Sequence, residues 1–381
     1  MNNFVFQNTT KLILGRGEIA KLAGLLPKDK RILVTFGGGS VKRNGVYDQV
    51  VAALEGFDYL EFWGIEPNPK VETLRKAVEV CKNENIGFLL AVGGGSTLDG
   101  TKLIAAAALI EEDAWELVLN PKLQRGSLPF ASVMTLPATG SEMNRGCVIS
   151  NLATGEKFAF YNTFPVFSIL DPTTTFTLPK YQRACGLADT FIHVIEQYLT
   201  CVGESPLMDR WAEGVLQTVV EIAPKVLSDE NDYDTMANFM LSATMGLNGF
   251  VAMGVTQDWS THRIGHEITA LCGTTHGQTL VMVLPGVMNE LREQKGAKIV
   301  QYGERVWGIT EGTTEERIDR TIAATEEFFR SLGLATRLSE LGIGEDIVEE
   351  IVRRFRERGT RLGEQLNIDY AATDRILRQR I

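Results

Sequence analysis

The stretch Gly87-Phe-Leu-Leu-Ala-Val-Gly-Gly-Gly-Ser-Thr-Leu-Asp-Gly-Thr-Lys102 changes character at its glycines. The apolar residues before them are typical of a buried strand, and the small residues from Leu103 to Leu109 continue a helix after them. Glycines at such a turn let the backbone approach a phosphate group, and the free N–H groups at a helix start favour an anion. The stretch therefore predicts a strand, an anion-binding loop and a helix, the alternative being an ordinary tight turn.

Similar units lie on both sides of this stretch. Strand-like runs alternate with amphipathic segments, with strands predicted at 31–36, 58–62, 87–92, 131–136, 146–150 and 166–170 and helices at about 44–55, 70–84 and 103–109. This alternation predicts a mainly parallel sheet with helices on its faces. Two short strands are also predicted at 4–7 and 10–14, and such a pair could join the sheet edge of a second copy in a dimer.

A second glycine-rich loop, Gly37-Gly-Gly-Ser40, follows an earlier strand. Loops at the carboxyl ends of parallel strands line one crevice, so this loop and Gly93–Ser96 could hold different parts of one dinucleotide. No acidic residue that could bind a ribose 2′-hydroxyl occurs in the second loop or directly after it, whereas Ser40, Lys42 and Arg43 could receive a 2′-phosphate. We therefore expect NADP(H), unless the two basic residues are simply a solvated helix start.

The stretch Thr135-Leu-Pro-Ala-Thr-Gly-Ser-Glu142 is a third polar turn after an apolar strand. The hydroxyl groups of Thr135, Thr139 and Ser141 could contact the pyrophosphate or the nicotinamide ribose. Alone, the turn would pass for a helix N-cap. Asp99 and Lys102, beside the first loop, could contact the nicotinamide side of the cofactor or pair with each other at the start of a helix.

The pattern changes at Leu170-Asp-Pro-Thr-Thr-Thr-Phe-Thr-Leu-Pro179, where prolines and threonines interrupt regular structure. Beyond it, apolar residues recur at helical spacing over 184–199, 208–223, 233–247 and 318–332. We therefore expect two domains, an α/β, Rossmann-like dinucleotide-binding domain over 1–178 and an all-helical domain over 179–381.

All four histidines, His193, His262, His266 and His276, lie in the expected helical domain. Positions four apart share a helix face, so Asp189 lies beside His193, and His262 beside His266. One carboxylate and two or three imidazoles suit a divalent transition metal such as Zn²⁺ or Fe²⁺. The alternative is that these are ordinary core or surface histidines without a metal. That explanation is easier to accept for a single histidine than for all four. The spacing does not choose between His262 and His266.

Composition narrows the class of protein. The 381 residues are 44% hydrophobic and 23% charged with a formal net charge of −10, which suits a soluble two-domain protein and argues against a general nucleic-acid surface. The longest apolar run, Leu103–Ile110, is too short to span a membrane, and the N-terminus lacks a leader pattern. The five cysteines lack CxxC spacing, so we expect reduced thiols in a cytoplasmic protein.

Several motifs occurring together carry a resemblance to a known family. They are Gly37-Gly-Gly-Ser-Val-Lys42, Gly64-Ile-Glu-Pro-Asn-Pro69, Leu89-Leu-Ala-Val-Gly-Gly-Gly-Ser96, Leu98-Asp-Gly-Thr-Lys102, Leu136-Pro-Ala-Thr-Gly-Ser-Glu142, Gln257-Asp-Trp259 and Gly265-His-Glu267. Over nearly the whole chain they resemble the iron-containing (group III) alcohol dehydrogenases, in particular the butanol dehydrogenases and NADPH-dependent aldehyde reductases. The resemblance implies a dehydroquinate synthase-like architecture, in which a Rossmann-like domain precedes a helical domain and the active site lies in the cleft between them.

The resemblance also implies roles for individual residues. It places the metal on Asp189, His193, His262 and His276 and leaves His266 as a neighbour. Gly37 is expected to contact the cofactor as part of its glycine-rich loop. The resemblance implies further cofactor contacts from Gly38, Ser40, Gly94, Gly95, Ser96, Thr135, Thr139 and Lys157. Family members use different metals, so both Zn²⁺ and Fe²⁺ stay open. A homodimer is also implied.

The expected reaction is hydride transfer between NADP(H) and small aldehydes or primary alcohols, with the metal as Lewis acid. His266 is the candidate catalytic residue, either as a proton relay or as a residue that orients a metal ligand. Glycerol dehydrogenase-like polyol oxidation with NAD and dehydroquinate synthase-like non-redox chemistry are the alternatives, and a nucleotide- or metal-sensing protein is the non-enzymatic one. A phosphorylated substrate would require several basic residues, whereas Phe191, Trp259 and Ile264 surround the histidines.

Overall fold

The computed structural model describes residues 1–201 and 204–381. The chain folds into two compact units. The α/β unit comprises Gln7–Pro179 and Asp229–Thr244, and the helical unit comprises Met1–Phe6, Lys180–Ser228 and Met245–Ile381. The change of unit after Pro179 falls beside the boundary expected after residue 178, although two short segments cross it. The assignment of the cofactor to one domain and the metal to the other stays a prediction.

A parallel sheet is the centre of the α/β unit, and its order among the described residues is β1-β8-β5-β4-β2-β3, every neighbouring pair being parallel. A separate antiparallel ribbon joins β6 to β7. The strands are β1 (Lys11–Leu14), β2 (Ile32–Phe36), β3 (Tyr59–Phe62), β4 (Phe88–Gly94), β5 (Phe130–Leu136), β6 (Gly146–Asn151), β7 (Glu156–Tyr161) and β8 (Phe167–Leu170). The expected Rossmann-like α/β class is confirmed.

Helices cover both faces of the sheet because its strands are apolar on both faces. Leu33 belongs to one buried cluster, while its neighbours Ile32 and Val34 belong to the other, as the two-residue period of a strand requires. The helices of this part of the chain are α1 (Leu22–Leu25), α2 (Ser40–Arg43), α3 (Val46–Ala53), α4 (Val71–Asn83), α5 (Gly95–Ala107) and α6 (Ala114–Leu119).

The strand expected at 4–7 is wrong. Residues 1–10 form no strand, and β1 pairs in parallel with β8 instead of with a preceding strand. The amide of Asn2 donates a hydrogen bond to the carbonyl oxygen of Gly254 at 2.8 Å, and Met1–Phe6 packs within the helical unit. Tertiary contact therefore overrides the strand propensity of these residues.

Helices dominate the chain from Lys180 to its last residue, which confirms the expected all-helical second region. They are α7 (Lys180–Tyr198), α8 (Pro206–Val226), α9 (Tyr233–Gly246), α10 (Ser260–Cys272), α11 (His276–Glu290), α12 (Arg292–Trp307), α13 (Thr314–Ser331), α14 (Glu345–Arg358) and α15 (Tyr370–Arg378). Most of α9 belongs to the α/β unit, where its Met240 lies in the buried cluster that contains Leu33. No helix in 1–201 or 204–381 is long and apolar enough to cross a membrane.

A buried ion pair fixes the start of α10. The carboxylate of Asp258 accepts hydrogen bonds from the Ser260 amide at 2.9 Å and from Lys295 Nζ at 2.6 Å. Both charged side chains are buried. Burial alone would raise the pKa of Asp258, but Lys295 and the donors of Ser260 outweigh it and hold that pKa below its usual value. The pair therefore stabilises the ionised form of Asp258 in the folded protein.

Replacing Asp258 with asparagine is expected to lower the free energy of unfolding by about 1–3 kcal/mol at neutral pH. Lys295 loses its partner at 2.6 Å and keeps only the more distant carboxylate of Glu364, 3.6 Å from its Nζ. A carboxyl with a depressed folded pKa stabilises the fold above its unfolded pKa, about 3.9, and loses that contribution as the pH falls through the folded value. The loss should therefore persist at neutral pH and shrink below about pH 4.

Urea unfolding of both proteins across this pH range measures the difference. The matched control is Asp58→Asn, which breaks an exposed pair with Arg31 and should change stability by less than about 1 kcal/mol. Equal losses in the two variants would contradict the role of the buried pair.

Candidate functional site

Three helices bring together the four side chains that are expected to bind a metal. Asp189 and His193 lie on α7, His262 lies on α10, and His276 is the first residue of α11. The Nε2 atoms of the three histidines each lie 3.7 Å from Asp189 Oδ1. One ligand atom from each of Asp189, His262 and His276 lies within 4.8 Å of the others. Ligand atoms of a tetrahedral site with bonds of about 2.0–2.2 Å are about 3.3–3.6 Å apart, so this set could close on one divalent ion.

Among residues 1–201 and 204–381, Asp189 Oδ1 and His262 Nε2 find no hydrogen-bond partner although both atoms are buried. Leaving a buried polar atom unpaired is costly, so two atoms that each offer a lone pair and face each other at 3.7 Å fit a cation between them. Burial alone would raise the pKa of Asp189, but the surrounding imidazoles outweigh it and hold that pKa below its usual value. Three nitrogens and one carboxylate oxygen suit Zn²⁺ or Fe²⁺.

A glycine allows α11 to approach α7 closely enough to complete this set. A β-carbon at Gly277 would lie only 2.4 Å from the carbonyl oxygen of Cys185, which is backbone and cannot turn away. Cys185 lies one helical turn before Asp189, so the contact sets His276 beside that carboxylate. Burial raises the pKa of the Cys185 thiol to about 11, so it is a neutral thiol at physiological pH.

Glu196 is a residue of this site to which the sequence alone assigned no role. Its Oε1 accepts a hydrogen bond from the Thr261 amide at 2.6 Å, and its Oε2 accepts one from Nδ1 of His262. Because the Glu196 carboxylate holds the proton on Nδ1, the neutral form of His262 carries its lone pair on Nε2, the atom that faces Asp189. Asp189, His193 and Glu196 stand at positions i, i+4 and i+7 of α7, and this polar stripe on a buried helix was the signal that could have revealed Glu196.

His266 lies beside the four-residue set. Its ring is buried, with its centroid 5.2 Å from that of His276 and 6.2 Å from that of His262. This position is compatible with both expected roles, proton relay and orientation of a ligand. The structure therefore brings all four histidines together, and the choice of metal ligands among them stays a prediction.

Trp259 provides an apolar wall next to the histidines. Its backbone has φ of 61°, in the left-handed region that bulky side chains rarely adopt and that costs energy to hold. The ring edge faces His262 at 5.3 Å between centroids, and Nε1 donates a hydrogen bond to Gln257 Oε1 at 2.6 Å. Phe191, which was expected to share this role, instead packs on Phe328 and other rings of an aromatic core. Only Trp259 of this pair therefore supports an apolar substrate.

The loops expected to bind the cofactor follow neighbouring strands of the α/β unit. Gly37–Ser40 follows β2. Gly93–Ser96 forms the last two residues of β4 and the first two of α5, so this expected loop is a direct strand-to-helix junction. Thr135–Ser141 spans the end of β5 and the turn after it. Because β5, β4 and β2 are adjacent and parallel, the three loops lie along one edge of the sheet. A β-carbon at Gly95 would lie 2.3 Å from the hydroxyl oxygen of Thr139, so glycine permits two of these loops to touch.

Lys157, on β7, is buried and linked to the Gly93–Ser96 segment through Asn68. Its Nζ donates a hydrogen bond to Asn68 Oδ1 at 2.9 Å, and the amide of Asn68 donates one to Ser96 Oγ at 3.3 Å. Asn68 has φ of 54°, a left-handed conformation that asparagine tolerates better than most residues. The structure thus brings Lys157, predicted from the resemblance alone, to the Gly93–Ser96 loop.

Lys102 is completely buried beneath the third loop. Its Nζ donates hydrogen bonds to Ser141 Oγ at 2.7 Å, Asn144 Oδ1 at 3.0 Å and the Gly146 carbonyl oxygen at 2.6 Å. Ser141 Oγ in turn donates one to Asp99 Oδ1 at 2.6 Å. Burial lowers the pKa of Lys102, but three acceptors for its three protons favour the ammonium form. Asp99 and Lys102 are therefore linked through Ser141, and cofactor contact by Asp99 stays a prediction.

Two family models match most of the chain. The family described as "Iron-containing alcohol dehydrogenase" matches residues 9–172, and "Fe-containing alcohol dehydrogenase family, C-terminal" matches residues 183–366. The chain is similar to the NADPH-dependent aldehyde reductase YqhD of Escherichia coli (strain K12), with 50% identity over 382 residues and 99% of each chain covered.

A second relative and a solved structure extend this similarity. The probable NADH-dependent butanol dehydrogenase 1 of Bacillus subtilis (strain 168) is 42% identical over 367 residues, covering 94% of this chain and 95% of its own. The crystal structure of E. coli K-12 YqhD matches with a TM-score of 0.98 at 48% identity, covering 100% of this chain and 99% of that chain. Since the two family matches together span most of the sequence, the chain belongs to the iron-containing alcohol dehydrogenase family.

Proposed function

We propose that the protein interconverts small aldehydes and primary alcohols, using NADP(H) and one divalent metal ion, Zn²⁺ or Fe²⁺. The observation that carries this proposal is the convergence of three imidazole Nε2 atoms on one buried oxygen of Asp189, each at 3.7 Å. A metal ion bound there supplies Lewis-acid polarisation of a carbonyl group, and a bound nicotinamide supplies the hydride.

The chain's own residues bind the metal ion, orient its ligands and keep water away from the site. Asp189, His193, His262 and His276 hold the ion, and Glu196 keeps His262 in the tautomer whose Nε2 is free to bind it. The indole of Trp259 limits the access of water beside His262 and favours a substrate with an apolar body. His266 either passes a proton to the product oxygen, for which an imidazole is suited near neutral pH, or orients His276.

The proposed preference for NADP(H) rests on the Gly37–Ser40 loop. Ser40, Lys42 and Arg43 can donate hydrogen bonds to a 2′-phosphate, and neither the loop nor α2 contains an acidic side chain that would repel one. The E. coli relative is named for NADPH and the B. subtilis relative for NADH, so these names alone do not decide the cofactor of this chain. The charge of its own loop favours the phosphorylated form.

The proposal includes a homodimer and a reducing compartment such as the cytoplasm. Phe4, Val5 and Phe6 are consecutive apolar side chains that are 50%, 94% and 43% exposed, and such a patch is typical of a protein contact. All five cysteines are free thiols, as expected where disulfides do not form.

Initial rates of NADPH and NADH oxidation with butanal test the proposal, using protein stripped of metal by a chelator and then supplied with Zn²⁺ or Fe²⁺. We expect no activity without metal, activity after either or both metals are restored, and a higher kcat/KM with NADPH. Activity that survives complete metal removal would overturn the role of the histidine site. A preference for glycerol and NAD over butanal and NADP would replace the proposed substrate and cofactor with those of a polyol dehydrogenase.

A further inference from the structure

Three aromatic rings pack together next to the Gly37–Ser40 loop, and two of them contact the exposed side chain of Lys42. The rings of Phe36 and Trp63 stack with centroids 4.0 Å apart and an interplanar angle of 10°, and Tyr47 lies 5.6 Å from Trp63. The Nζ of Lys42 lies 4.1 Å from the centroid of Trp63 and 5.0 Å from that of Tyr47. We refer to Phe36, Tyr47 and Trp63 as the aromatic cage.

One carboxylate fixes the orientation of two of these rings. The hydroxyl of Tyr47 donates a hydrogen bond to Glu61 Oε1 at 2.9 Å, and Nε1 of Trp63 donates one to Glu61 Oε2 at 2.7 Å. Phe36, which is 1% exposed, supports the stacked face from the core of the sheet. The aromatic cage is therefore ordered before any ligand arrives, which reduces the entropy lost on binding.

The cage is also attached to the loop through the backbone. The amide of Gly64 donates a hydrogen bond to the carbonyl oxygen of Gly37 at 3.3 Å. The amide of Ile65 donates one to the carbonyl oxygen of Phe36 at 3.1 Å. These contacts join the segment after β3 to the end of β2, at the carboxyl edge of the sheet where ligands bind in this architecture. Trp63, over which the Lys42 ammonium group lies, is consequently held beside the loop that contains Ser40.

The type of contact leaves the charge of Lys42 available. Within 1–201 and 204–381, no acidic residue forms an ion pair of 4.0 Å or less with Lys42. A π face attracts an ammonium ion without neutralising it, and it leaves N–H groups free to bind an anion. A carboxylate in the same place would have cancelled much of that attraction for an anion.

We propose that the aromatic cage is the element that selects the phosphorylated cofactor, because it positions Lys42 for the ribose 2′-phosphate. Trp63 is then a positioning residue that contacts Lys42 directly. Glu61 is a positioning residue that acts on Lys42 indirectly, by orienting the rings of Trp63 and Tyr47. The ligand group is a phosphomonoester, which carries nearly two negative charges at neutral pH and forms charge-assisted hydrogen bonds with an ammonium group. This inference rests on the proposed use of NADP(H) and names the residues responsible for it.

Calorimetric binding of two probes to the intact protein, 2′,5′-ADP and 5′-AMP, tests the inference, because the probes differ only in the 2′-phosphate. The wild-type protein should prefer 2′,5′-ADP. Lys42→Met should reduce that preference by about 10-fold or more, and Trp63→Leu by about 3- to 30-fold. Trp63→Phe retains a π face and should keep most of the preference. Affinity for 5′-AMP should stay constant, which general damage to the fold would not allow.

A matched control is Lys28→Met, which removes the same charge from an exposed residue before β2, at the opposite edge of the sheet, and should leave the preference unchanged. Trp63→Leu could keep the wild-type preference for 2′,5′-ADP while Lys42→Met loses it. That result would overturn the role of the cage and leave the proposed function standing. A wild-type protein that does not distinguish the probes would overturn the NADP(H) assignment and the cage with it. If Trp63→Leu fails to fold, Glu61→Ala replaces it, and an undiminished preference in that variant overturns the inference.

Discussion

Replacing Asp189 with asparagine is expected to weaken divalent-metal binding by more than about 100-fold, because loss of a ligand should exceed the roughly 10- to 100-fold cost of losing a residue that only orients one. The reason lies in the position of its Oδ1, which is 3.7 Å from Nε2 of each of His193, His262 and His276. Asparagine keeps the size of the side chain but removes the charge that balances a dication. Since Lewis-acid stabilisation is worth several kcal/mol, kcat/KM for aldehyde reduction should fall by about 10³-fold or more.

Competition with a chromogenic chelator measures the metal affinity of Asp189→Asn, and circular dichroism establishes whether its fold is retained. Asp58→Asn makes the same chemical change at an exposed position of the α/β unit and should bind metal like the wild type. One equivalent of metal bound to folded Asp189→Asn with unchanged affinity would mean that the ion is held elsewhere.

Replacing Glu196 with glutamine should weaken metal binding by about 10- to 100-fold while the protein stays folded. Glu196 accepts one hydrogen bond from the Thr261 amide and another from Nδ1 of His262. Glutamine offers a single oxygen and sets an NH₂ group against one of these two donors. The preference of His262 for the tautomer with a lone pair on Nε2 is therefore weakened, and a buried donor loses its acceptor.

The same chelator competition measures this effect, and it does not depend on activity. Glu79→Gln, at an exposed position of α4, is the matched control and should be indistinguishable from the wild type. Glu196→Ala should show a larger loss than Glu196→Gln, because it removes both acceptors. Equal metal affinity in Glu196→Gln and the wild type would show that Glu196 supports the fold without orienting His262.

The features that followed from the sequence are those set by local periodicity. The apolar run before Gly93 formed a central strand, and its small-residue continuation formed α5, which begins at Gly95, several residues earlier than expected. The loops that contain Ser40, Ser96 and Thr139 lie at one sheet edge because parallel strands end together. Helical spacing also placed Asp189 and His193 on one face of α7.

The features that did not follow depend on contacts between distant parts of the chain. Glu196 and His262 are 66 positions apart, and no local pattern pairs them. Lys102 looks like a solvated helix residue, yet it is buried because Ser141, Asn144 and Gly146 supply acceptors from a loop about forty residues away. The strand expected at 4–7 had suitable residues, but Asn2 bonds to Gly254 instead of to a neighbouring strand.

The aromatic cage shows the same limit of sequence reasoning. Lys42 was predicted to face a phosphate because it follows a glycine-rich loop. Trp63 belongs to the segment after the next strand, and its contact with Lys42 depends on the parallel pairing of β2 with β3. Pairing between strands is a property of the whole sheet, so the partner of Lys42 could not be read from its own neighbourhood.

We propose that one divalent metal ion lies between Asp189, His193, His262 and His276 and is required for aldehyde reduction. The most direct measurement is anomalous X-ray diffraction at the zinc absorption edge, from crystals of stripped protein that regained activity with one equivalent of Zn²⁺. We predict a single anomalous peak bonded to Asp189 and to Nε2 of the three histidines. A peak at any other residues, or full activity in crystals without a peak, would contradict it.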